Sequence, residues 1–176
     1  MIEKRIRRAT FWTWVCLIPL ATFGCASGGG AAGAGSELDF LVGTWSGVLE
    51  YLDYGDNQTR VELPTETTYR RDGSGLAYTT VFTEPNGSKI TDEGRLARLT
   101  GNRFRVGNDV YDIAEKASNG SSWRLTTRGT DNDRPAEFRL LIERRGDALV
   151  LRKEVIIDGT EEPFVRNELR LTRRRD

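Results

Sequence analysis

Phe40-Leu41-Val42-Gly43-Thr44-Trp45-Ser46-Gly47 is the stretch that decides the fold. A short apolar run meets a glycine, and polar and large side chains then alternate. Gly43 lets the backbone bend tightly into a strand, because a residue without Cβ tolerates angles others avoid. Trp45, two residues on, supplies one large apolar body that can plug the end of a closed sheet. From Gly43 to about Tyr54 the phase continues through Gly47, Leu49 and Tyr51 on one face.

The same period of two recurs along the rest of the chain, broken by turn residues. Strands are expected at about Thr59–Arg71, Leu76–Glu84, Lys89–Leu99, Arg103–Val106 and Val110–Ala117. Further ones begin with Trp123, Leu125 and Thr127, then span Ala136–Arg145, Ala148–Ile157 and Phe164–Arg173. Asp72-Gly73, Asn86-Gly87, Gly107-Asn108, Asn119-Gly120 and Asp158-Gly159 fall between them, where turns need positive φ. Lys89–Leu99 is polar on both faces and reads as an edge or strongly bent strand. Gly129–Pro135 reads as the longest polar loop. No helical stripe appears after Glu37. About ten antiparallel strands in hairpin succession favour an all-β, up-and-down barrel, because closure leaves no free edge; a sandwich has the same strand count.

Gly43-Thr44-Trp45 at the start of the first strand resembles the opening of the calycin group, which includes lipocalins and fatty-acid-binding proteins. In that group an arginine from the end of the last strand packs over the tryptophan. The resemblance implies that role for Arg173, in phase with Leu171, Leu169 and Val165, and for Arg170 as the second choice. It also implies a lumen able to hold a small apolar ligand. The chain departs from lipocalins in lacking a C-terminal helix, and from fatty-acid-binding proteins in lacking the helical pair after the first strand. Lacking histidine, it departs from haem-binding ten-strand relatives too, so no cofactor is expected.

The N-terminus carries a different message. Glu3-Lys4-Arg5-Ile6-Arg7-Arg8 is basic, Ala9–Phe23 is uncharged and apolar, and Gly24-Cys25 sits where a lipoprotein signal would be cut. Residues 1–24 therefore read as a signal peptide that resembles the bacterial lipoprotein type. Cys25 reads as the lipid attachment site, 26–36 as a Gly/Ala tether, and 37–176 as the barrel. Thr22 and Phe23 depart from the usual aliphatic and small residues before such a cysteine. An ordinary secretory signal cut near Ala26 or Ser27, or an uncleaved anchor, fits the same flanks. Ala9–Phe23 is shorter than the roughly 20 residues a spanning helix needs. The expected location is exported and membrane-anchored, periplasmic or at the cell surface.

Composition narrows the chemistry. The chain has 26 Lys+Arg, 26 Asp+Glu, two Cys and no His. Without residues 1–24 it loses Lys4, Arg5, Arg7 and Arg8 against Glu3 alone and becomes mildly acidic, with no footprint for nucleic acid. Cys16 and Cys25 lie outside the barrel, so no disulfide is expected within it. The lack of His and Cys there removes the usual zinc sites and Ser-His or Cys-His catalysis. Asp131-Asn132-Asp133 starts like a calcium loop but lacks its glycine and has Ile142 at the twelfth place, so it reads as a plain polar loop. Arg145-Gly146-Asp147 matches an adhesion tripeptide and also fits a hairpin turn. Asn57, Asn86 and Asn119 begin sequons in turns. Glu62, Glu66 and Glu154 fall on outward phases, so no carboxylate dyad is expected.

Alternation alone places Tyr51, Tyr69, Tyr78 and Trp123 on the inward face, as lining of a cavity or parts of a filled core. The expected function is binding of a small apolar or amphipathic ligand, not catalysis, by a membrane-tethered barrel. A structural or protein-interaction module of the envelope with a filled barrel is the alternative.

Overall fold

The computed structural model describes residues 37–175, which form one closed ten-stranded antiparallel barrel. In chain order the strands are β1 (Gly43–Leu52), β2 (Arg60–Asp72), β3 (Gly75–Thr83), β4 (Lys89–Arg98) and β5 (Arg103–Val106). There follow β6 (Asp109–Lys116), β7 (Ser122–Asp131), β8 (Arg134–Arg145), β9 (Ala148–Ile157) and β10 (Phe164–Arg173). Each strand pairs with the next, and β1 closes the sheet on β10 with Trp45 opposite Arg173. The sandwich is excluded. The segments read as signal, lipid site and tether lie outside the described residues.

Alternation decides which side chains fill the interior. On β2, Leu63, Thr65, Thr67 and Tyr69 are buried while Glu62 and Glu66 are exposed. A 3-10 turn, Asp39–Leu41, crosses one end of the barrel, which we call the base. Leu38 and Leu41 sit in the base with Trp45, Leu76, Leu96, Phe104, Trp123, Leu125 and Leu149 in one buried cluster. A smaller group, Ala136, Phe138, Val155 and Ile157 with Phe164 against it, lies toward the opposite end, the mouth. Burying side chains of this size is worth about 1.5–3 kcal/mol each, so the base carries most of the hydrophobic stabilisation.

Gly43 has φ +123°, and a Cβ there would meet Arg173 Nη1 at 2.9 Å. The guanidinium of Arg173 lies 4.5 Å from the Trp45 ring centroid. It donates to the carbonyls of Val42 (2.8 Å) and Phe40 (2.7 Å), while Trp45 Nε1 donates to Leu41 O at 2.7 Å. The carbonyls of the entering turn are thus tied to the first and last strands. Arg170 instead lies on the outer wall, bonded to Glu50, Glu62 and Glu168.

One expectation fails and another holds in part. Gly129–Pro135 is not a loop: β7 runs through Asp131, and Asn132-Asp133 (φ 47° and 62°) make a two-residue turn into β8. Both faces of this stretch are polar, which hides its period of two. β4 is an edge over part of its length: Lys89–Gly94 pairs with β3 alone, whereas Leu96–Arg98 pairs with β5 as well. The sequon asparagines behave as turn residues: Asn86 Oδ1 accepts from Ser88 N (2.9 Å), and Asn119 Oδ1 accepts from Ser121 N (3.0 Å).

Charge is divided between the ends. At the mouth, the turn residues Asp53, Asp56, Glu84, Asp133, Asp158, Glu161 and Glu162 outnumber the basic residues at the adjoining strand ends, Arg60, Lys89, Arg128 and Arg134. At the base, Arg70, Arg71, Arg98, Arg103, Lys116, Arg144, Arg145 and Arg173–Arg175 outnumber the carboxylates beside them.

Candidate functional site

One side of the barrel wall is short. β5 has only four residues and pairs with β4 at Leu96–Arg98 alone. β6 pairs with β7 only from Asp112 to Lys116. The register therefore leaves Lys89–Gly94 of β4 and Thr127–Asp131 of β7 without a strand on the facing side. The early turn at Gly107-Asn108 causes this, and it is pinned by Gly107 N donating to Arg95 O at 2.8 Å. Ile90 and Gly129 occupy inward phases yet are exposed, Ile90 to 38 %, so solvent reaches the inner wall through this opening.

Behind the opening the lumen is lined by polar groups. Tyr78 projects inward from β3, and its hydroxyl passes between two glycines. A Cβ at Gly94 would come within 2.5 Å of that oxygen, and one at Gly107 within 3.1 Å. The hydroxyl hydrogen-bonds Asp92, whose carboxyl is held above the ordinary carboxylate range, chiefly by burial. Tyr69 packs beside Tyr78 with ring centroids 6.2 Å apart, and the hydroxyls of Thr67 and Thr80 meet at 3.0 Å. Asp109 and Tyr111 enter from β6 on inward phases, and burial pushes the Tyr111 phenol up.

Lys153 faces the same space from β9, between inward Leu151 and Val155. Its ammonium lies 4.4 Å from the Phe138 ring centroid. Burial lowers its pKa, with Asp109 and Asp131 opposing that shift and Arg166 adding to it. A cation on a ring gains roughly 0.5–2 kcal/mol.

Arg166 spans the mouth. A register shift between Val165 and Asn167 inserts one residue into β10 and turns Arg166 inward. Its Nη2 pairs with Asp131 and its Nη1 donates to Asn57 Oδ1 at 2.8 Å. Tyr54 and Phe164 flank the guanidinium at 4.5 and 4.8 Å. Both charges are almost fully buried, with side-chain exposures of 1 % and 4 %. Arg166 Nε is buried without an acceptor. Asn132 Nδ2 donates to Tyr54 O at 3.4 Å. The β1–β2 turn, the β7–β8 turn and β10 are therefore tied together across the mouth, while the side wall stays open.

No protein-family model matches this chain, and no curated protein matches it in sequence. Among solved structures it is similar to Rv2717c from M. tuberculosis, with a TM-score of 0.57 and 16 % identity over 82 % of this chain and 99 % of that one. At that identity the likeness is one of fold.

The four aromatic residues picked by alternation do not form one group. Tyr69 and Tyr78 meet within the same buried cluster as Trp45, with Tyr69 paired to Gly43 at the start of β1. Tyr51 is half-buried near the mouth end of β1, beside Glu84 and Asp53, and with burial these raise its pKa. Trp123 lies at the base, 5.3 Å from Phe104, with Nε1 donating to Gly120 O at 3.2 Å and Lys116 over its ring. Lys153, Asp92, Asp109, Arg166 and Asp131 were not singled out as site residues. Lys153 carried a signal: Leu149, Leu151, Lys153, Val155 and Ile157 share one phase. Asp131, read as part of a plain loop, is instead the buried partner of Arg166.

Proposed function

We propose that this chain is an exported, membrane-tethered barrel of calycin-like form that binds a small amphipathic ligand in the upper half of its lumen, without covalent chemistry. One observation carries this reading. Inward positions at the base are apolar and buried, whereas those behind the open wall are polar and partly reached by solvent, notably Asp92, Asp109 and Lys153. Such a lining matches a ligand with an apolar body against Phe138 and Tyr78 and a polar group toward Asp92, Asp109 and Lys153. The side opening supplies the entry that the tied mouth lacks.

Titration with an apolar fluorophore such as anilinonaphthalene sulfonate tests the reading. One saturable site per chain is expected, weakened by Tyr78→Phe with the fold intact. A signal that never saturates rejects the ligand reading and leaves the filled envelope module, which the packed base favours. Tethering is tested separately. Cys25→Ser should release the protein from the membrane pellet or block its processing. Unchanged pelleting, with no lipid mass on the N-terminal peptide, rejects lipid attachment.

A further inference from the structure

We propose that the basic base of the barrel is a docking surface for an anionic lipid membrane, with the acidic mouth and the side opening turned toward the aqueous phase. Three observations converge on this. First, the base carries an excess of basic side chains and the mouth an excess of carboxylates. The molecule is thus an electrostatic dipole along the barrel axis although its net charge is small.

Second, part of the basic excess is unengaged. Arg71 is paired with Asp39 (2.5 Å) and Lys116 with Glu37 (2.6 Å). Arg70 and Arg103, both exposed and on outward phases, make no ion pair among the described residues. Such side chains can give their donors to lipid phosphates without breaking an internal contact. Third, the chain enters the barrel at this end. Glu37 and Leu38 lead into the turn across the base, so a tether on the N-terminal side holds this end closest to the membrane. That direction rests on the anchoring proposed above; the charge division does not.

Screening makes the arrangement directional. The Debye length is about 8 Å at physiological salt, so only the facing end feels the surface. Each Lys or Arg near an anionic leaflet raises partition roughly fivefold. Carboxylates at the mouth would be repelled by the same surface. Nucleic acid is the rival polyanion, but nothing places a tether beside it.

The test uses the full-length chain carrying Cys25→Ser, so that no acyl group contributes. It is co-sedimented with vesicles of phosphatidylglycerol and phosphatidylcholine, and with phosphatidylcholine alone, at 0.1 and 0.5 M salt. Residues 1–24 are common to every arm and drop out of the comparison. Arg70→Glu with Arg103→Glu should lower the preference for anionic vesicles by tenfold or more at low salt, and by much less at high salt. Arg60→Glu with Arg134→Glu, the same charge change at the mouth ends of β2 and β8, should leave it unchanged. Near-UV circular dichroism checks the fold. If the reversal variant is misfolded, Arg70→Gln with Arg103→Gln replaces it, with a several-fold drop expected. An unchanged preference in the base variant, or an equal fall in the mouth variant, overturns the proposal. Tighter salt-dependent binding to duplex DNA than to anionic vesicles, lost in the base variant, also overturns it. Fluorophore binding should be unchanged by these substitutions, so failure here leaves the ligand reading standing.

Discussion

Near the base, the inward positions of β1, β7 and β9 are Trp45, Trp123 and Leu149; toward the mouth they are Tyr51, Thr127 and Lys153. The same strands, with the same pleat, enclose two different interiors. The base is closed by apolar bodies and by one arginine that donates to two backbone carbonyls and lies over an aromatic ring. The upper half holds two inward cations, several carboxylates and a wall with unpaired strand edges. An all-apolar interior would be the cheaper way to stabilise a barrel. The difference separates a half that makes the fold from a half whose composition costs stability, which is the usual mark of a functional site.

The largest effect should fall at the base. Trp45→Ala removes the plug, and large-to-small changes at buried aromatics cost about 3–5 kcal/mol. Chemical denaturation measures it, and a loss under about 1 kcal/mol would break the division drawn here. Next comes the buried pair at the mouth. Asp131→Ala leaves the Arg166 guanidinium buried without its counter-charge, at a cost of about 3 kcal/mol. Arg166→Met combined with Asp131→Leu should lose less than the sum of the single changes. Strict additivity in that cycle would mean the pair is not coupled.

Sequence reasoning read the base better than the upper half, for a physical reason. Apolar residues at period two are visible against polar ones, so Trp45, Leu76, Leu125 and Ile142 announced their strands. Thr127–Asp131 is polar on both faces, and its alternation carried no contrast. Arg166 depends on one extra residue in β10, which shifts the phase without any compositional mark. The open wall was closer to legible, since Gly107-Asn108 follows Gly101-Asn102 so soon that β5 had to be short. Lys153 was legible outright, as the single charged member of an apolar phase.

A smaller loss is expected at Arg173. Arg173→Lys keeps the charge but loses the planar fork that serves two carbonyls and the Trp45 face at once. About 1–2 kcal/mol is expected, on the scale of one hydrogen bond and a cation–π contact. A neutral result would show that Trp45 is held by its apolar neighbours alone.

The smallest change expected is a gain, and it bears most directly on the upper half. Lys153 has its pKa lowered by burial from the ordinary 10.5. Between its folded and ordinary values the unfolded chain holds a proton that the folded chain has shed, so stability rises with pH across that window. Below the window both states are charged, and the fold bears the full cost of the buried ammonium. Lys153→Met removes that cost, so the variant should be the more stable at pH 7. Its advantage should shrink as pH climbs toward 10.5. Paired denaturation curves at pH 7 and pH 10 measure the gap. If Lys153 serves a ligand, the same variant should bind the fluorophore more weakly while standing more firmly. A variant that is less stable at pH 7, with a gap independent of pH, would make Lys153 an ordinary structural residue and erase the contrast between the two halves.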